Sequence, residues 1–116
     1  MKVVVIGSSN IDMVAQVSHL PAPGETVGDA NFMQSLGGKG ANQAVAAARL
    51  GGFVTFVTSL GNDMYADILK NHFKKEGITT DYIIDDVNHP TGTALIFVAD
   101  SGETVSYTHL TLPTNS

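Results

Sequence analysis

The chain has 116 residues, no cysteine, six lysine or arginine residues and a formal net charge of −5. This length is typical of one domain with a single core, and the absence of cysteine excludes disulfides and thiolate metal sites. The few basic residues exclude an electrostatic surface for nucleic acid, and the apolar start is too short for a signal peptide or a membrane span. We therefore expect a cytoplasmic protein that binds no membrane and takes small molecules as partners.

The first predicted elements are a strand and a polar extended segment. Residues 2–7 form a short β-branched run closed by glycine, which predicts a strand buried on both faces. Asn10 and Asp12 then alternate with apolar residues, so in an extended segment the amide and the carboxylate share one face. Residues 21–24 (PAPG) predict a turn, and residues 25–33 are expected to form a short, half-exposed strand or loop.

Two helices and three further strands are predicted downstream. Residues 40–50 are small, strongly helix-forming and followed by two glycines, so they predict a helix that packs closely against a sheet. Residues 53–58 predict a second buried strand, and Asn62 or Asp63 can cap a helix that runs to about residue 76. The apolar stripe of that helix is expected to consist of Met64, Ile68, Leu69 and Phe73. Two later strands are expected over residues 81–85 and 93–99. This order of elements predicts an α/β fold.

The glycine-rich stretch SLGGKGAN, residues 35–42, fits neither common nucleotide-binding loop. A P-loop requires serine or threonine directly after its lysine, but Gly40 follows Lys39. A dinucleotide-binding loop requires a third glycine where Gln43 stands, which argues against an oxidoreductase. Two interpretations remain. The stretch is either a tight turn with a solvated Lys39, or a helix start whose N–H groups bind hydroxyl or anionic oxygens together with Asn42.

Asn10 and Asp12 also allow two interpretations. Side chains of these types often satisfy the backbone of a loop. The two residues also follow the first predicted parallel strand at its carboxyl end, where α/β folds place their ligands. A carboxylate that accepts two hydroxyl protons, beside an amide that both donates and accepts, suits a polyol.

Five segments, in this order and spacing, resemble the ribokinase branch of the PfkB carbohydrate kinases: GSSNIDMV, PAPGET, GGKGANQAVAAARLGG, LGND and TGTALIFV. The resemblance covers residues 1 to about 103 and implies a ribokinase-like three-layer α/β fold with a small β-sheet lid over the sugar. Only the N-terminal part of that fold is expected here, with lid strands near residues 25–33 and 91–98. Family members often dimerise through their lids, so the resemblance also implies a homodimer.

The resemblance further implies an activity, the ATP-dependent phosphorylation of D-ribose at its 5-hydroxyl with Mg²⁺ and K⁺ as cofactors. Asp12 would accept hydrogen bonds from the ribose hydroxyls, and the backbone at the glycines would approach the sugar closely. The implied substrate-binding residues are Asn10, Ile11, Asp12, Gly38, Lys39, Gly40, Ala41, Asn42, Ala94 and Ile96. Fructokinase or a ribokinase-like nucleoside kinase is the nearest alternative, and a non-catalytic sugar-binding module is the alternative from another class.

No catalytic or metal-binding residue is expected in this chain. In the family the base is an aspartate of a G-A-G-D loop, and that motif is absent from the sequence. The ATP and cation sites are likewise expected mostly outside these residues. The histidines share no spacing typical of metal ligands: His19, His72, His89 and His109. Because a truncated sheet exposes apolar faces, we expect the chain alone to be poorly soluble or partly molten, and to lack kinase activity.

The resemblance ends near residue 103. The segment VSYTHL is the translation, in one frame, of TGTCTCTTATACACATCT, a transposase-end sequencing adapter. Residues 104–116 are therefore expected to be a non-native tail, although Val105, Tyr107 and His109 alternate with polar residues as in a strand. The codons of an independently cloned gene would distinguish the two origins.

Overall fold

A computed structural model describes residues 1–109, with only the backbone of His109. The predicted tail therefore lies partly outside the described residues. The elements in chain order are β1 (Lys2–Ile6), β2 (Asn10–Val17), β3 (Asn31–Gly37), α1 (Lys39–Arg49), β4 (Phe53–Val57), β5 (Ser59–Gly61), α2 (Met64–Lys75), β6 (Ile84–Asp86), β7 (Thr93–Ala99) and β8 (Thr104–His109). The fold is mixed α/β, as predicted from the order of elements.

The core lies between the helices and one face of a parallel sheet. β1 pairs in parallel with β4, and α1 contacts both strands. Ala41 and Ala44 of α1 are buried there, and such small side chains let the helix approach the strands closely, as the sequence predicts. Phe56 of β4 meets Phe73 of α2 edge-to-face, with ring centroids 5.1 Å apart, an arrangement that aromatic pairs favour.

The opposite face of this sheet is exposed, so the prediction of two strands buried on both faces is wrong for the described residues. Val4 and Ile6 of β1 are 65% and 70% exposed, and Phe53 of β4 is 75% exposed. Their neighbours Val54 and Phe56 are buried because they point towards the helices. No described element covers the exposed side, so the β-branched runs of the sequence are buried on one face only.

A second sheet has the strand order β3-β2-β7-β8 and is called here the four-stranded sheet. β2 follows β1 after three residues and pairs in parallel with β7, while β3 and β8 lie antiparallel to their neighbours. The strand predicted over residues 93–99 is confirmed as β7. The lid strand expected near residues 25–33 is wrong in extent, because β3 begins at Asn31 and continues to Gly37.

The turn before β3 explains that shift. Glu25 accepts a hydrogen bond from the amide of Ala22 at 2.8 Å and pairs with His19 at 3.0 Å, which holds residues 22–25 in a turn rather than a strand. Pairing with β2 then places Asn31 opposite Gln16 at one end of β3 and Gly37 opposite Asn10 at the other. The strand is therefore defined by its partner rather than by its own composition.

The predicted helices are confirmed, with changes in their details. Asp63, rather than Asn62, caps α2 and accepts a hydrogen bond from the amide of Ala66. The predicted stripe is partly wrong, since Met64 and Ile68 are 66% and 37% exposed, while Ala66, with the predicted Leu69 and Phe73, is buried. The strand expected over residues 81–85 is shifted to β6, and no local pattern indicates its three-residue partner β5.

β8 lies in the segment that is predicted to be a non-native tail. It pairs antiparallel with β7 from Thr104 opposite Val98 to His109 opposite Thr93. The origin of residues 104–116 stays a prediction. Among residues 1–109, no helix has the length and apolar character needed to cross a membrane.

Candidate functional site

An open groove of about 500 Å³ lies where the four-stranded sheet meets the start of α1. It brings together most of the residues that the sequence analysis singled out, although they come from three separate parts of the chain. Its lining residues are Ser8, Asn10, Asp12, Leu36, Gly37, Gly38, Lys39, Asn42, Ala94, Ile96, Ser106 and Thr108.

Asn10 and Asp12 form the polar centre of this groove. Both side chains project from the same face of β2, and the amide Nδ2 of Asn10 donates to Oδ1 of Asp12 at 2.6 Å. Asn10 is 5% exposed, whereas Asp12 is half-buried. The two side chains therefore hold each other instead of satisfying loop backbone. Within residues 1–109, Oδ2 of Asp12 has no hydrogen-bond partner and can accept from a ligand.

The glycine turn joins β3 to α1 and forms another wall of the groove. Gly38 occupies the N-cap position of α1 with a φ of 102°, a conformation that favours glycine. Without a side chain, Gly38 cannot cap the helix. Lys39 and Asn42 follow on the exposed side of the first turn, where their side chains line the groove.

The glycines are needed for a reason that the sequence analysis did not predict. A Cβ atom on Gly38 would lie 2.6 Å from the carbonyl oxygen of Ser8, and one on Gly40 would lie 2.8 Å from Cα of Gly7. The amide of Ala41 also donates to the carbonyl of Ser8 at 3.1 Å. The close approach is therefore between α1 and the loop after β1, rather than only between the glycines and a ligand.

Three predicted site residues do not line this groove. Ile11 projects from the other face of β2 and is fully buried in the core. Ala41 is also a core residue, and Gly40 lies against the loop after β1. These residues pack beneath the groove. Because side chains alternate along β2, Ile11 is expected on the other face of the strand from Asn10 and Asp12.

The apolar wall of the groove comes from β7. Ala94 pairs with Asp12, and Ile96 pairs with Val14, so both side chains share the face of β2 that carries the carboxylate. β8 adds Ser106 opposite Ile96 on the same face. The wall therefore depends on the parallel pairing of β2 with β7.

The sequence analysis missed several lining residues: Ser8, Leu36, Gly37, Ser106 and Thr108. Gly37 had a detectable signal, because it is the first glycine of the GGKG stretch. A Cβ atom at this position would lie 2.5 Å from Oδ2 of Asp12, so glycine leaves room for the carboxylate. Ser8 and Leu36 had no such signal, since Ser8 lies in the loop after β1 and Leu36 lies on β3, and only the fold brings them together.

A second groove of about 520 Å³ lies between α1 and α2, and one of its polar lining residues, Arg49, already has a partner. Arg49 forms a two-pronged pair with Glu76, which joins the carboxyl ends of the two helices. No carboxylate lines this groove. The groove that contains Asp12 is therefore the better candidate for a polar ligand. Among residues 1–109, no group of three possible metal ligands is present, so we assign no metal-binding residue.

The chain is similar to known sugar kinases. The family model described as pfkB family carbohydrate kinase matches residues 1–113. A ribokinase of Haemophilus influenzae is 48% identical over 99 residues, which are 85% of this chain and 32% of that protein. The chain spans 20% to 36% of the length of its first curated relatives.

Solved structures give the same result. The structure of an Arabidopsis thaliana ribokinase complexed with ribose and ATP has a TM-score of 0.87 and 32% identity, over 93% of this chain and 35% of that chain. A fructokinase from Xylella fastidiosa has a TM-score of 0.76 and 37% identity, over 93% of this chain and 33% of that chain.

Proposed function

Because this chain belongs to the pfkB family of carbohydrate kinases, we propose that the intact protein phosphorylates D-ribose at its 5-hydroxyl with ATP, giving ribose 5-phosphate. The observation that carries the proposal is the Asn10–Asp12 pair, which faces the apolar wall of Ala94 and Ile96. Similarity to the ribokinases of Haemophilus influenzae and Arabidopsis thaliana supports this choice of sugar.

In this proposal each wall of the groove recognises a different part of ribose. Asp12 accepts hydrogen bonds from two hydroxyl groups, and Asn10 holds the carboxylate in the orientation that receives them. Lys39 and Asn42 donate from the start of α1, while Ala94 and Ile96 contact the apolar part of the ring. The glycine turn thus binds a sugar rather than the phosphates of a nucleotide.

We propose ATP, Mg²⁺ and K⁺ as cofactors of the intact protein. Its catalytic base and most residues that hold these cofactors are proposed to belong to the part of the family fold that this chain does not span. This chain is proposed to supply the sugar-binding half, because the groove that contains Asp12 lies within it. When bound, Mg²⁺ would neutralise charge on the transferred phosphoryl group.

We also propose that the intact protein is a homodimer joined through the four-stranded sheets. Phe32 and Met33 on the edge strand β3 are 63% and 58% exposed, and an apolar edge strand favours association. Fructokinase activity is the second candidate, and similarity to the fructokinase of Xylella fastidiosa favours it over a nucleoside kinase or a non-catalytic module.

The test is the substitution Asp12→Asn in the intact protein. It removes the charge but keeps the shape, so kcat/KM for ribose is expected to fall about 100-fold, as for the loss of charge-assisted hydrogen bonds. Asp85→Asn is the matched control, because Asp85 is exposed on β6 and pairs with Lys70 away from the groove. Undiminished ribose phosphorylation by Asp12→Asn would contradict the site. If the unsubstituted protein has a larger kcat/KM for fructose than for ribose, the second candidate is selected.

A further inference from the structure

A buried hydrogen-bonded cluster joins the start of α2 to the start of β7, outside the groove. Oδ1 of Asp63 accepts from the hydroxyl of Thr91 at 2.6 Å, and Oδ2 accepts from the amide of Thr91 at 2.9 Å. The hydroxyl of Thr91 accepts in turn from the amide of Gly61 at 3.0 Å. Thr91 is 1% exposed, so the carboxylate binds both hydrogen-bond donors of a buried residue.

This cluster is directly connected to the polar centre of the groove. Gly92 follows Thr91, and its carbonyl accepts a hydrogen bond from the amide of Ile11 at 3.0 Å. That bond begins the parallel pairing of β2 with β7, in which Ile11 lies opposite Thr93 and Asp12 lies opposite Ala94. The position of Thr91 therefore determines where the apolar wall lies relative to the carboxylate of Asp12.

We propose that Asp63 is a positioning residue for sugar binding, which fixes the start of β7 through Thr91 and thereby sets the spacing between Asp12 and the wall of Ala94 and Ile96. This inference rests on the proposed function, since it treats the groove as a sugar site. Neither Asp63 nor Thr91 lines the groove, so their effect on a ligand is transmitted through β7.

A simple helix cap would not require this geometry. The cap of α2 is provided by the bond from the amide of Ala66 to Oδ1 of Asp63, at 3.0 Å. The second oxygen of the carboxylate is directed to the amide of Thr91, which lies 28 residues later. Partial burial opposes ionisation of Asp63, but the bonds from Thr91 and Ala66 outweigh it and lower the pKa of the carboxyl below its ordinary value. The anchor is therefore a charged group.

Two pairs of variants of the intact protein separate positioning from capping. Asp63→Ser keeps a good N-cap oxygen but lacks the second oxygen that reaches Thr91. Asp67→Ser is its matched control, because Asp67 is exposed in the first turn of α2. Thr91→Val removes the hydroxyl at nearly constant volume, and Thr91→Ser retains it.

The readouts are the Kd for ribose by calorimetry and hydrogen exchange at the amides of Ile11 and Thr91 in the absence of sugar. We expect Asp63→Ser and Thr91→Val to raise the Kd about tenfold and to exchange both amides at least about tenfold faster. Thr91→Ser and Asp67→Ser are expected to stay within about twofold of wild type.

The outcomes distinguish this inference from the proposed function. Unchanged exchange in both Asp63→Ser and Thr91→Val would overturn the anchor. Faster exchange with an unchanged Kd would overturn the positioning role while leaving ribose as the ligand. If the unsubstituted protein does not bind ribose, the proposed function fails, and the positioning role for sugar falls with it. The exchange measurement would still decide whether Asp63 anchors β7.

Discussion

Single residues in this chain are constrained most strongly where two backbones meet. The contact between Gly7 and Gly40 brings the loop after β1 against the first turn of α1, and the carbonyl of Ser8 accepts the amide of Ala41 in the same place. Because these contacts fix the first turn of α1, they also fix the position of Lys39 beside the groove. A change of one methyl group at this contact therefore affects both the packing of α1 and the shape of the site.

We predict that Gly40→Ala lowers the free energy of unfolding of the intact protein by about 1–3 kcal/mol, because the new Cβ would meet only backbone atoms. Urea denaturation provides the measurement. Gly28→Ala is the matched control, since a Cβ atom at Gly28 has no neighbour within 4 Å, and we expect a change of less than about 0.5 kcal/mol. Equal midpoints for the two variants would contradict the importance of this contact.

At the scale of elements, local signals predicted those parts whose cause is local. The strand over residues 93–99 and the helix that begins after Asn62 or Asp63 were confirmed, because propensity and capping depend on neighbouring residues. The extent of β3 was not predictable, since its pairing with β2 decides where it begins. The prediction that β1 is buried on both faces is wrong for the described residues. The apolar composition of a strand does not show whether another element covers each of its faces.

The same division applies to the groove. Alternation along β2 predicted that Asn10 and Asp12 share a face. The resemblance brought in Ala94 and Ile96, which the structure places on that face opposite Asp12 and Val14. No local pattern could have predicted that Thr91 binds Asp63, because the two residues meet only through the packing of α2 against the strand ends.

The cap of α2 also predicts a pH dependence. Asp63 has a folded pKa below its ordinary value of 3.8, so its stabilising effect is present above that pH and is lost as the pH falls through the folded pKa. We expect the difference in unfolding free energy between wild type and Asp63→Asn, which has no charge at this site, to shrink as the pH is lowered from about 6 to about 3. A constant difference by urea denaturation would contradict the contribution of the ionised carboxylate.

At the scale of the whole molecule, the exposed side of β1 and β4 is the main feature. Val4, Ile6 and Phe53 form an apolar face that no described element covers. Contiguous exposed apolar surface promotes association. This face gives a physical basis for the expectation that the 116-residue chain is poorly soluble alone.

We predict opposite effects of Val4→Thr in two contexts. In the 116-residue chain it is expected to raise the soluble fraction after centrifugation, because it reduces the exposed apolar surface. In the intact protein we expect the same face to be buried, so that the substitution lowers the free energy of unfolding by about 1–2 kcal/mol. Val87→Thr is the matched control, since Val87 is 75% exposed and lies outside the strands. Equal effects of both variants would contradict a covered face.

The parallel pairing of β2 with β7 has a consequence for the order in which the molecule assembles. Ile11 pairs with Thr93, so nearly the whole described chain must leave the ribosome before this contact can form. Such non-local pairings form slowly, because closure of the intervening loop precedes any gain from contact. Asp12, on the carboxylate side of the groove, is thus synthesised well before Ala94 and Ile96, which form the apolar side. A ligand that contacts both sides of the groove can therefore stabilise the nascent chain only after β7 has emerged.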